Sequence, residues 1–325
     1  MATQRLIWMD AVRGLCIFLV ILVHASGVID DMGLSYSRAL ETFNLFMEPF
    51  RIPLLMFLSG MLLHKGLQKP ANAYFFGKFA LIFWPFLVWS MVVYAAEGRL
   101  TLEYILKTAI TAPSVLWFLW FIAAYYVLAY ILLQKLKLPA WPIILACLVG
   151  AAVLPEIVRI PRFSYLFAFF LMGHVTMTSG VRLTGLKGAA AGLIGLGLAI
   201  TGGLMAVQDL GGKYDPLYAW IPLGLVAFIF WASQAYSGAK ALQPIEYVGR
   251  NSLVFYVVHF PVILVVANLM GALEVENGNL VYAVMVAAVL GLSVLLHTLR
   301  EAHVGVRALF DYRAVQSFAR SGRPS

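Results

Sequence analysis

The sequence has little charge: Asp, Glu, Lys and Arg make up 12% of it, where a soluble domain carries about a quarter. That scarcity excludes a water-soluble globular chain. With 62% hydrophobic residues and a mean hydropathy of +0.88, the exclusion becomes a class, the polytopic helical membrane protein. Cysteine is nearly absent. Cys16 and Cys147 both lie in apolar runs, so neither a disulfide framework nor a metal-binding motif can be built from them. Long hydrophilic stretches are missing as well, which leaves no room for a separate soluble domain. The net charge of +8 would suggest nucleic acid in a soluble protein. Here it reads as loops facing the cytoplasm, and no nucleic-acid partner is expected.

What is present is a series of apolar runs. Hydropathy places about ten spans. The first is 7–28, and the others fall near 43–63, 76–96, 115–134, 140–155, 163–180, 186–207, 217–236, 246–270 and 279–299. Loops between them are short apart from 29–42 and 97–114. With the N-terminus inside, the inner side collects Arg5, Lys65, Lys69, Lys78, Lys135, Lys137, Arg182, Lys187, Lys240 and the arginines of the C-terminal tail, Arg323 among them. The outer loops hold mostly acids, with Arg38, Arg99, Lys107, Arg159, Arg162 and Lys213 as exceptions. The expected fold is therefore an all-α integral membrane protein of about ten transmembrane helices with both termini cytoplasmic. Residues 1–300 form the membrane domain and 301–325 a basic cytoplasmic tail, part interfacial helix and part disordered.

The first run carries three ionisable groups: Asp10, Arg13 and His24. A purely structural span avoids them, because Arg or Asp at helix centre costs roughly 2.5–3.5 kcal/mol on insertion scales. Arg13 and His24 are three helical turns apart and lie within ~20° on one face, ~16 Å along the axis. Asp10 sits one turn before Arg13. Arginine holds phosphate, and imidazole moves protons or attacks acyl groups. Two plainer readings compete: a self-neutralising Asp10–Arg13 pair with a satisfied histidine, or a signal peptide cleaved near Ala25–Gly27, into which Asp10 fits poorly.

The second run brings Glu48 and Arg51 in from the outer side to about the depth of His24, with Pro49 and Pro53 breaking the backbone ladder. The pair reads equally as self-neutralising or as catalytic, Glu48 orienting the imidazole and Arg51 stabilising developing negative charge. Ser59–Gly60 suits close helix packing. Lys78 at the start of the third run reads as a snorkelling anchor or a phosphate contact. Trp117 belongs to an interfacial aromatic belt, and such rings also stack on sugars. In the ninth run Ser252, Tyr256 and His259 share one helix face, with Arg250 at its cytoplasmic start. They read as helix–helix hydrogen-bonding groups or as substrate contacts. His174 stands alone near small residues and reads as structural.

These residues resemble a known pattern. Arg13-x10-His24, Phe-Arg-Ile-Pro-Leu-Leu-Met-Phe-Leu-Ser-Gly in the second run, Trp117-Phe118-Leu119, and Gly-x-x-Ser-x3-Tyr-x2-His in the ninth are similar to the acyltransferase-3 family, in order along essentially the whole chain. Its members are ten-helix membrane O-acyltransferases that modify cell-envelope and secreted glycans. The chain looks most like the stand-alone sugar O-acetyltransferases, including the fucose 4-O-acetylase-like branch. It departs from the pattern at Leu55-Met56, where paired phenylalanines are often seen, and at Lys78, where an arginine is common.

The resemblance implies transfer of an acetyl group from cytosolic acetyl-CoA, a co-substrate and not a resident cofactor, to a glycan or lipid-linked sugar. His24 would be the general base, with Glu48 and Arg51 as its catalytic partners. Substrate contacts would come from Asp10, Arg13, Lys78, Trp117, Arg250, Ser252, Tyr256 and His259. It further implies a multi-pass protein of the bacterial inner membrane, with no metal. The sequence assigns no oligomeric state. The alternative is a proton-coupled transporter, which also uses polar groups at mid-membrane and Pro-broken helices. No internal repeat or matched pair of broken helices supports it. A purely structural subunit would leave the buried charges without purpose.

Overall fold

The computed structural model describes residues 7–321 apart from 112, 113, 158, 212, 235 and 237. Arg5, Arg323 and the end of the tail lie outside the described residues. Every regular element among them is helical: α1 (Ile7–Asp31), α2 (Arg38–Phe46), α3 (Arg51–Leu67), α4 (Ala71–Ala96), α5 (Leu102–Thr111), α6 (Trp117–Lys135), α7 (Ala140–Val153) and α8 (Ile160–Ser179), then α9 (Gly185–Val207), α10 (Pro216–Ala232), α11 (Gln243–Arg250), α12 (Ser252–Ala272), α13 (Gly278–Ala302), α14 (Val304–Ala308) and α15 (Tyr312–Ser321). Six of these (α1, α4, α6, α9, α12 and α13) are long and apolar enough to cross a membrane. The pair α2 and α3, bent by 42°, makes a seventh if read as one broken span. Each expected run coincides with a helix or a helix pair. However, α7 and α10 are short, and α8 is not among the six.

The differences from the expected boundaries have local causes. The loop 29–42 is mostly helical, because α1 continues to Asp31 and α2 starts at Arg38. Between α2 and α3 the chain turns through Met47–Phe50, where Pro49 offers no backbone N–H, whereas Pro53 sits in the first turn of α3, where that N–H has no helical partner to lose. In α4 a π-helical turn at Phe79–Phe83 precedes Pro85, whose missing N–H leaves the Leu81 carbonyl without its usual donor. The loop 97–114 contains α5. The ninth run breaks at Asn251 into α11 and α12, so Arg250 and Ser252 belong to different helices.

The tail is not a loose strand of charge. Phe310, fully buried, packs 5.2 Å from the Trp89 ring, and the Trp84 indole N–H donates to the Ala308 carbonyl at 2.7 Å. The described part of 301–325 is thus largely helical and anchored by aromatic packing on α4.

The described residues divide into two compact units: one takes in those of 7–19, Ala39–Gln68 and Leu128–Arg250, and the other those of Val20–Arg38, Lys69–Val127 and 251–321. In the first unit glycines set the helix spacing. A Cβ on Gly60 of α3 would stand 1.7 Å from the Phe170 carbonyl oxygen of α8, and one on Gly173 would stand 2.0 Å from that of Phe57. Close packing at Ser59–Gly60 is therefore a backbone-to-backbone contact. Gly14 of α1 meets Ile245 of α11 in the same way, and Gly249 meets Asp10. Gly60→Leu should accordingly cost about 3 kcal/mol, the upper end for overpacking, because the obstacle is backbone and cannot rotate away. Gly197→Leu, with open space around it, should be nearly neutral. Thermal melting of the two purified variants checks the contrast.

In the second unit α12 supplies a continuous buried stretch, Val254–His259, packed among α4 and α13. The Tyr282 hydroxyl of α13 donates to the Leu22 carbonyl at 3.2 Å, and the Tyr36 and Tyr282 rings stack at 5.7 Å. These contacts fix the C-terminal half of α1 against α13, and with it His24.

Candidate active site

α1 is one uninterrupted helix, so the three-turn spacing of Arg13 and His24 stands as helical geometry. Near its start Asp10, 5% exposed, forms an ion pair with Arg13 at 3.9 Å. The carboxylate lies deeper than the guanidinium: side-chain exposure is 7% for Asp10 and 19% for Arg13. Asp10 thus anchors a cation whose head stays partly accessible.

His24 is half-buried in the second unit, and its ring lies beside that of His259 of α12, with centroids 5.0 Å apart and planes at 42°. His259 is completely buried. Its Nδ1 is bonded to the Tyr256 carbonyl, which can only accept, so the proton sits on Nδ1. Nε2 therefore carries the lone pair, and it finds no hydrogen-bond partner among the described residues. Leaving such an acceptor unsatisfied in a buried place is costly, so an orphan of this kind calls for explanation. The Phe260 ring lies edge-on to His24 at 5.6 Å, while Tyr256 contacts both His259 (5.5 Å) and Phe118 (5.4 Å). The Tyr256 hydroxyl makes a long contact, 3.5 Å, to the Val115 carbonyl. The result is an aromatic enclosure around two imidazoles.

The remaining candidates are distributed. In the first unit Glu48 is engaged by Lys213 and lies 3.9 Å from Arg51, which is 5% exposed and reaches the Asn44 carbonyl at 3.5 Å. Arg250, with 44% of its side chain exposed, pairs with Glu246 at 3.4 Å, and Glu246 also accepts from the Tyr236 hydroxyl at 2.7 Å. That arrangement places Arg250 in a partly exposed ion-pair network. In the second unit Lys78 lies over the Tyr126 ring at 3.3 Å, a cation–π contact. Trp117 stacks edge-on against Phe121 at 5.0 Å. Ser252 is half-buried at the start of α12. His174, expected to stand alone, instead faces His64 with ring centroids at 6.3 Å. Among the described residues no group of three metal-ligating side chains is found.

Sequence reasoning named His24 and His259 separately but did not pair them, and it missed Phe260 and the Glu48–Lys213 ion pair. The one available signal for the histidines was the shared face of Tyr256 and His259. The family profile of the acyltransferase-3 group, described as an acyltransferase domain, matches residues 6–298. No curated protein matches the chain, and no solved structure does.

Proposed function

The chain belongs to the acyltransferase-3 family and is a membrane acyltransferase, and from that premise we propose that it moves an acetyl group from acetyl-CoA to a hydroxyl of a cell-envelope or secreted glycan. In this reading about ten spans cross a bacterial inner membrane with both termini in the cytoplasm, α7, α8 and α10 included. Arg13, steadied by Asp10, takes a CoA phosphate at the cytoplasmic end of α1. The ~16 Å of helical rise to His24 suits an extended pantetheine arm. At the other end His24 removes the proton of a sugar hydroxyl as its oxygen attacks the thioester carbonyl. The C–S bond breaks, and the departing CoA sulfur takes the proton from His24.

The observation that carries this reading is the buried His259 beside His24. A neutral imidazole with its lone pair on Nε2 can accept the ring N–H of His24. The two rings are not hydrogen-bonded in this structure; formed as His24 gains charge, that bond steadies the imidazolium during attack. Trp117, half-buried in the same unit as His24, offers a face for a sugar ring. The test is mass spectrometry of envelope glycans from a strain lacking the chain. Acetyl esters should vanish and return with the wild-type gene. His259→Gln should restore them slowly, with turnover down about tenfold, less than loss of the base itself. Unchanged acetylation in the deletion strain would contradict the proposal and favour the transporter.

A further inference from the structure

Three of the six cations that break the inside-positive bias, Arg159, Arg162 and Lys213, converge in the first unit around one loop residue, Tyr214. The Arg162 guanidinium lies 4.9 Å from the Tyr214 ring centroid, and Arg159 acts on the same phenol. Burial pushes that phenol up to about 12, so it stays neutral. Beside it is a cavity of about 300 Å³, at the small end of ligand pockets and roughly the size for one or two sugar rings. Tyr165, Tyr214 and Tyr218 line it together with Glu48, Asp209 and Lys213. Three phenol rings with two carboxylates suit a pyranose, whose C–H faces stack on aromatics and whose hydroxyls donate to carboxylates.

The charges surrounding the cavity go further. Glu48 serves two cations at once, Lys213 and the buried Arg51, so neither is neutralised alone. Asp215 is committed to the backbone N–H of Leu217 at the start of α10. Arg159 has a buried Nη1 with no hydrogen-bond partner among the described residues. It also holds a left-handed backbone, φ 64°, which a side chain other than glycine rarely adopts and which tends to persist where function requires it. Around Tyr214 and Tyr165 stand four cations, Arg51, Arg159, Arg162 and Lys213, and three carboxylates, Glu48, Asp209 and Asp215, of which Lys213, Glu48 and Asp209 line the cavity itself.

We propose that this cavity is a carbohydrate subsite for an acidic sugar, a pyranose carrying a carboxylate or a phosphate. The ring lies among the tyrosines, and the anion is drawn by Lys213 and Arg159 with Arg51 behind. The inference rests on the acyltransferase reading only in making that sugar part of the acceptor glycan.

The experiment is saturation-transfer NMR on the purified full chain in nanodiscs, with trigalacturonate, glucose 1-phosphate and neutral maltotriose as probes. Binding of trigalacturonate or glucose 1-phosphate, but not of maltotriose, is the expected result, and which of the two binds identifies the acidic group. Lys213→Gln, at a side chain 53% exposed and thus safe for folding, should weaken it about tenfold, as should Arg159→Gln. Equal binding of maltotriose, no binding of either acidic probe, or unchanged affinity in both variants overturns the proposal. Acetyl-CoA binding in the same sample separates the two claims. If acetyl-CoA binds and the acidic probes do not, the subsite is wrong and the acyltransferase reading stands. If the acidic probes bind and acetyl-CoA does not, the subsite stands without that reading.

Discussion

His24→Ala is expected to abolish acyl transfer, by 10²-fold to 10⁴-fold as loss of a general base typically does, while the protein inserts and accumulates normally. The substitution exchanges a half-buried imidazole for a methyl group on a helix that is apolar over most of its length, so the span survives. His259 then keeps its buried place and its Tyr256 contact but loses the His24 ring. His174→Ala and His297→Ala serve as controls. His174 sits 6.3 Å from the His64 ring, and His297 pairs with Glu301 at 3.8 Å one turn along α13, so both should be mild. Acetylation of envelope glycans in each complemented strain, compared at equal protein level, checks the contrast. Near-normal acetylation with His24→Ala would remove the proposed base.

Arg13→Ala should raise the apparent KM for acetyl-CoA roughly 10²-fold, the scale of two charge-assisted hydrogen bonds lost from a bidentate phosphate contact. Arg13→Lys should fall between, because an ammonium supplies the charge without the planar fork. One complication is physical. Removing Arg13 takes an ion-pair partner from the buried Asp10 carboxylate, and that loss destabilises on its own. The double variant Asp10→Asn, Arg13→Ala removes both charges. It should recover thermal stability and keep the raised KM. A KM restored along with the stability would assign Arg13 to structure alone.

The hydrophobic runs were legible because a bilayer imposes a single demand, about twenty apolar residues per helix, and composition satisfies it or does not. The same logic hid the breaks. The join of α11 and α12 falls in the polar stretch Gly-Arg-Asn-Ser at 249–252, which a run drawn over 246–270 passes through, and nothing in hydropathy separates a loop from the short helix Leu102–Thr111. Within α1, Asp10, Arg13 and His24 were legible because helical period relates them without tertiary knowledge. The pairing of His24 with His259 depends on packing between helices 235 residues apart in sequence, which no local period encodes. The Glu48–Lys213 pair, separated by 165 residues, is of the same kind. One long-range feature did leave a trace: Arg159, Arg162 and Lys213 stood out as cations on the acidic side before the structure gathered them at Tyr214.

The central claim is that α1 binds the donor at one end and activates the acceptor at the other. It is tested most directly by equilibrium binding of acetyl-CoA to purified protein in nanodiscs, comparing wild type, Arg13→Ala and His24→Ala. Wild type and His24→Ala should bind alike, since the base lies ~16 Å along the helix from the phosphate contact, and Arg13→Ala should lose nearly all binding. Absence of binding by wild type would contradict the account, as would loss of binding in His24→Ala with retention in Arg13→Ala.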